Sequence, residues 1–360
     1  MLLFVLFVLG AHVGSFLNVC IWRLPRGESV VQPPSHCPNC NTRLQPLDLV
    51  PLVSQIALSA RCRYCKQKIS WRYFGIEFLT GALFVLVGMQ PGNLMGDWWT
   101  GIWVGDPVRL LQLLIVVPAL IVVFWVDYET FLIPISAAFL AGLAGVGADA
   151  WHVAQGQKGL TDGAIFGFSI LPAPLPESLV AMVVMAALLW LLRALFSAIY
   201  KREAMGFGDV FLVAAIAANI GWKPELFTFF FLSVVLGAII GVGLQIPRAI
   251  RVYRWAKRRV ESNANRAGVN GGRKSVNRHE NKRKAGAARV KEDVRRAEVF
   301  NRSLAWPLVR RVLGRSIPFG PMLVVGALVT LLYGARLDEA YMNWVNAMQP
   351  QSAASSSAVR

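Results

Sequence analysis

Two aspartates and four cysteines are the residues of this chain whose types and settings could do chemistry. Asp127 closes an apolar run in "FWVDYETFLIP", and Asp209 opens another in "EAMGFGDVF", where Gly206 and Gly208 frame it. A charge at the edge of an apolar span is costly and is a functional candidate by default. A single carboxylate at a helix end is equally well read as a solvated terminus. Two at one depth favour a shared site. Close carboxylates can divide peptide hydrolysis between them: a protonated one polarises the carbonyl while an ionised one activates water. No covalent intermediate and no metal is required. Glycines beside Asp209 remove side-chain bulk, so that an extended peptide backbone can approach the carboxylate.

The cysteines form "CPNC" at 37–40 and "CRYC" at 62–65, two Cys-x-x-Cys pairs separated by 21 residues. This spacing suits a four-thiolate zinc site built from Cys37, Cys40, Cys62 and Cys65, because each tight knuckle aims two sulfurs at one tetrahedral ion. Two disulfides would use the same residues, but a reducing cytoplasm disfavours them. A loop this small has little core of its own, so metal would supply much of its folding energy. Cys20 stands alone in an apolar run and reads as a small buried hydrophobe.

The elements that position these groups must be membrane helices. The chain has 360 residues, 55% of them hydrophobic, and crossing a bilayer takes about 20 apolar residues as a helix. Qualifying stretches are 1–22, 73–90, 108–127, 133–151, 178–200, 208–222, 225–247 and 318–335. The expected fold class is therefore an all-α polytopic membrane protein of about eight transmembrane helices, with a small cytoplasmic zinc-binding loop domain. The first stretch lacks a preceding charged region and is expected to stay rather than to be removed as a signal peptide.

Lys and Arg set the orientation. Segment 23–72 carries eight of them against Glu28 and Asp48, and segment 248–315 carries 21 against 5 acidic residues. Both should face the cytoplasm, which puts the N-terminus in the periplasm and both aspartates near the cytoplasmic surface. The third span then runs inward, so Asp127 sits at a helix C-terminus and Asp209 at a helix N-terminus. The helix dipole favours negative charge on Asp209, which makes it the expected ionised base. The implied organisation is a first span at 1–22, the zinc loop at 23–72, spans two to seven at 73–247, a basic insertion at 248–315, the last span at 316–336 and a tail at 337–360.

The net charge of +17 is almost wholly local to that insertion, so no nucleic-acid partner is expected. Its flanks mix basic residues with Trp255, Phe300 and Trp306, as helices on an anionic lipid surface do. Its middle has almost no large apolar residue and reads as disordered.

These motifs together resemble the bacterial type 4 prepilin peptidases, leader peptidases of pilin and type II secretion systems within the GxGD class of intramembrane aspartyl proteases. "GSFLNVCIWRLP", the cysteine pairs running into "ISWRYFGIEFLTG", "VDYETFLIP", "REAMGFGDV" and "IPFGPML" occur in the family's order. The resemblance implies Asp127 and Asp209 as catalytic residues, supported by Gly206, Gly208, Glu129 and Glu203. It implies cleavage after a glycine, at the cytoplasmic surface of the bacterial inner membrane, which frees a short basic leader from a prepilin or pseudopilin. Many members also N-methylate the new terminus with S-adenosylmethionine, an activity associated with the cytoplasmic loop. No glycine-rich nucleotide fold is visible here, so that cofactor rests on resemblance alone. Three positions depart from the pattern: Ile135 where the family usually has Asp, Phe211 where it has Lys, and Thr130 where His is common. They bear on substrate selection and positioning rather than on the aspartates. Two other functions use the same residues: a proton-coupled transporter with the aspartates as relay, and a non-catalytic secretion scaffold.

Overall fold

The structure is a computed structural model that describes residues 1–37, 39–90, 105–156, 164–165, 168–169, 175–201, 205–240, 243, 250, 254 and 320–348. Nine α-helices account for most of the described residues. They are α1 (Leu2–Arg23), α2 (Val53–Ala57), α3 (Arg72–Gly88), α4 (Pro107–Thr130), α5 (Ile135–Ala154), α6 (Glu177–Tyr200), α7 (Phe207–Ile220), α8 (Glu225–Ile240) and α9 (Gly320–Met348). The exception to the all-α expectation is one antiparallel pair of two-residue strands, Ala164–Ile165 with Phe168–Ser169. Four helices, α1, α4, α5 and α6, are long and apolar enough to cross a membrane, while α7, α8 and the Gly320–Gly334 part of α9 are shorter apolar helices. Each of the eight apolar stretches read from the sequence falls on a helix. The last runs on past its expected end at 336 to Met348, because "ARLDEAYMNW" contains no glycine or proline to stop it.

The chain divides into two compact units, Met1–Val234 with Pro318–Arg360, and Val235–Ile317. The elements that position the candidate site belong to the first. The basic insertion at 248–315 lies outside the described residues apart from positions 250 and 254, as does Glu203.

In hydrocarbon the backbone must satisfy itself, which makes these apolar runs helical, and small residues let the helices approach. Gly10 and Gly14 of α1 lie one turn apart against α3, where an added Cβ would come within 2.8 Å of Gly81 Cα and 2.7 Å of Glu77 Cα respectively. Gly145 of α5 meets α7 in the same way, 2.7 Å from the Ala218 carbonyl oxygen. The core runs along α4, with Val116, Val117, Leu120, Val123 and Val126 fully buried, and Leu212, Val213 and Ile216 of α7 and Leu323, Val324 and Ala327 of α9 belong to the same core. Phe4, Phe139, Leu143, Trp190 and Leu195 point outward, as a lipid-facing surface requires.

Candidate active site and cysteine cluster

Asp127 lies in the last turn of α4, whose end is set by Phe131 in the left-handed conformation at φ 57°. The chain then passes through Ile133 and Pro134 into α5. Asp209 lies in the first turn of α7, where the dipole favours a carboxylate, and its side chain reaches back to the backbone amide of the N-cap Gly206. The two elements meet because Gly208 has no side chain. A Cβ there would stand 2.8 Å from Ile133 Cβ. Where a Cβ of Gly208 would point, the α4–α5 turn fills the space, and this docking joins the end of α4 carrying Asp127 to the start of α7 carrying Asp209. Gly206 is exposed, and a Cβ on it would stand 3.4 Å from Asp209 Oδ2.

Burial separates the pair. Asp127 is 5% exposed and its Oδ2 has no hydrogen-bond partner among the described residues, whereas Asp209 is half-buried. An orphaned buried carboxylate oxygen marks a place where a proton, a water or a substrate group belongs. Gly320, at the start of α9, forms the wall: its amide reaches the Asp127 carboxylate, and a Cβ there would lie 2.6 Å from Oδ2. This glycine lies within "IPFGPML". Its signal was a helix-starting glycine followed by proline, which is visible locally, whereas its position against Asp127 is not.

Glu129 pairs with Arg72 at the start of α3, so it ties that helix to the end of α4. Thr130 turns its hydroxyl back onto the Val126 carbonyl, 2.7 Å away. Phe211 and Ile135 are exposed. Arg193 of α6 donates to the Met205 carbonyl at 3.1 Å and covers the Phe207 ring at 4.9 Å, which holds the segment leading into Asp209.

The four cysteines do converge. Their sulfurs all lie within 4.8 Å of one another, and Cys37 Sγ is 3.8 Å from Cys65 Sγ. Tetrahedral zinc with bonds of about 2.3 Å would set its sulfurs about 3.8 Å apart, whereas a disulfide needs about 2.05 Å. All four are free thiols, so the set fits a metal ion. The knuckles are built alike. Cys37 N–H donates to the Thr42 carbonyl and Cys62 N–H to the Gln67 carbonyl, while Asn41 and Lys66 turn each loop at φ 54° and 59°. The Thr42 hydroxyl, 3.3 Å from Cys40 Sγ, and the Thr42 amide bring the Cys40 thiol down to about 6, toward the thiolate a metal requires. The loop is fastened to α3 as well: the Leu52 amide donates to Oε2 of buried Glu77 at 2.8 Å. Cys20 is buried, as expected, and its thiol is not part of the cluster.

Residues 8–90 match the Bacterial Peptidase A24 N-terminal domain and residues 114–242 match the Type IV leader peptidase family. A prepilin leader peptidase/N-methyltransferase of Myxococcus xanthus (strain DK1622) is 34% identical over 240 residues, 66% of this chain and 61% of that protein. The protein of the same description from Klebsiella pneumoniae is 33% identical over 226 residues, 61% of this chain and 85% of its own length. That from Dickeya chrysanthemi is 32% identical over 246 residues, 61% of this chain and 75% of its own. The chain belongs to the type IV leader peptidase family. No solved structure matches it.

Proposed function

We propose that this protein is an inner-membrane aspartyl endopeptidase that cleaves the short basic leader from type IV prepilins or pseudopilins after a glycine. The observation that carries this reading is the docking of the Ile133 turn onto Gly208, which joins the end of α4 that carries buried Asp127 to the start of α7 that carries Asp209. Asp209, at the N-terminus of α7, is the ionised base that activates water. Asp127, buried at the C-terminal end of α4, carries the proton that polarises the scissile carbonyl.

Eight helices, α1 and α3 to α9, span the membrane, with the N-terminus in the periplasm. This topology places both aspartates and the cysteine loop on the cytoplasmic side, where a prepilin leader resides before cleavage. Cys37, Cys40, Cys62 and Cys65 hold a structural zinc ion, which supplies the fold of the loop rather than a step of hydrolysis. Exposed Gly206 admits the substrate backbone beside Asp209, while Glu129, through Arg72, transmits the position of the loop to the catalytic end of α4. Glu203 precedes this segment as a supporting residue. N-methylation of the new terminus is supported by the relatives' description, and S-adenosylmethionine as the methyl donor by the family resemblance. The basic segment 248–315 serves as a tether to anionic lipid.

The direct test is incubation of the purified protein in detergent with a synthetic prepilin, followed by mass spectrometry. Leader removal after glycine is the expected result, with an added methyl group when S-adenosylmethionine is supplied. An intact prepilin after incubation with folded protein contradicts the peptidase assignment.

A further inference from the structure

The end of α4 remote from the aspartates encloses a second polar site. Arg109 is 18 residues before Asp127 on the same helix, which places it about 27 Å away at 1.5 Å per residue. A cavity of about 260 Å³ opens there between α4, the end of α7, the start of α8 and the middle of α9. Arg109, Lys223, Glu225, Thr330 and Arg336 line it. This volume is smaller than a typical drug cleft and suits a headgroup-sized guest.

Two of its walls lack partners. Glu225 Oε2 and Thr330 Oγ1 are buried and have no hydrogen-bond partner among the described residues, and Thr330 is only 4% exposed. Unpaired buried groups of this kind cost free energy unless a guest satisfies them. The cations are unequally engaged. One Arg109 nitrogen donates to Gln112 Oε1 at 2.9 Å and the Asn219 carbonyl at 3.1 Å, and the guanidinium also feels Asp106 and Glu225. Lys223 stands 3.9 Å from Glu177. Arg336 is exposed at the rim and has no ion-pair partner among the described residues. Charge of both signs is therefore present and separated: Arg336 with Lys223 at the rim, and a Glu225 oxygen without a donor inside.

A simple anion would leave Glu225 Oε2 without a donor, and a simple cation would meet the arginines. From this arrangement we propose that the cavity binds the headgroup of a zwitterionic aminophospholipid. Its phosphate is held by Arg336 and Lys223, and its primary ammonium donates to Glu225 Oε2. The Thr330 hydroxyl donates to a phosphate oxygen. The site lies where α4 begins and α7 ends, the level at which a spanning helix meets headgroups.

The test is native mass spectrometry of the purified full-length protein in detergent, incubated with an equimolar mixture of phosphatidylethanolamine, phosphatidylcholine and phosphatidylglycerol. Phosphatidylcholine has no N–H to give Glu225, and phosphatidylglycerol has no cation. The lost charge-assisted hydrogen bond corresponds to a preference of about tenfold or more for phosphatidylethanolamine over either. Glu225→Gln should remove the preference over phosphatidylcholine, and Arg336→Gln should lower retention of all three lipids. Both variants should keep the wild-type melting temperature in detergent to within a few degrees, since neither side chain joins the packed core. Soluble phosphoethanolamine that displaces the lipid shows recognition of the headgroup alone. Selective lipid retention without such displacement shows that the acyl chains contribute as well. Equal retention of the three lipids by the wild type, or unchanged selectivity in folded Glu225→Gln, would overturn the proposal and leave the cavity to water.

Discussion

The carboxylate pair and the cysteine cluster are built in opposite ways. The cluster is local: two short knuckles repeat one backbone pattern, and a bound ion can draw four sulfurs together whatever the surrounding helices do. The aspartates come from α4 and α7, and nothing joins them chemically. Their meeting depends on Gly208 accepting Ile133, on Gly145 accepting Ala218 and on Gly320 standing against Asp127. One site is specified by its own residues, the other by missing side chains elsewhere. Damage should therefore spread differently from each.

The largest effect belongs to the aspartates themselves. Asp127→Asn or Asp209→Asn should lower prepilin cleavage by about 10²–10⁴-fold, because an amide keeps the shape but can neither ionise nor share the proton. The check is the initial rate of leader release, with insertion confirmed by an unchanged melting temperature.

Gly208→Ala comes next and tests the packing half of the comparison. Its new Cβ would meet Ile133 at 2.8 Å, an overpacking worth about 1–3 kcal/mol, and the same displacement carried to the pair would cost about 10–100-fold in rate. Ile133→Ala in the same chain should restore most of the loss. A loss that Ile133→Ala leaves untouched would mean that Gly208 is needed for substrate room rather than for helix approach.

What the sequence made legible follows the same division. The cysteines, both aspartates and the eight apolar stretches were readable because each is a short pattern carried by consecutive residues. Helix ends were readable only where a breaker stands. The last helix outran its expected limit at 336 because none does. Contacts between distant residues were not readable. Nothing near Glu129 in the chain indicates Arg72, which lies on another helix, and nothing near Gly320 indicates Asp127. The role of Gly208 was half legible: its smallness mattered, but the group it admits is Ile133.

Cys37→Ser should act on the cluster almost alone. Three thiolates hold a metal far more weakly than four, so metal analysis should show loss of bound zinc and proteolysis should find the 23–72 loop. Cleavage should fall by less than about tenfold, or 1.4 kcal/mol, because the aspartates lie on other elements. A collapse of cleavage equal to that of Asp209→Asn would erase the distinction between the two sites.

The smallest effect is expected where the two regions communicate. Arg72→Gln removes a partly exposed ion pair with Glu129, a contact worth about 0–1 kcal/mol, so cleavage should drop by no more than about fivefold. The wild-type rate should fall toward that of the variant as salt is raised, since screening weakens the same pair.

Asp127 and Asp209 are expected to act as one unit. The measurement that tests it most directly is kcat/KM for leader cleavage by Asp127→Asn, Asp209→Asn and the double variant, side by side. Groups that share one catalytic step lose their effect together. The double variant should therefore be no slower than the slower single variant, within about threefold. Losses that multiply, or a single variant that cleaves at the wild-type rate, would contradict the account.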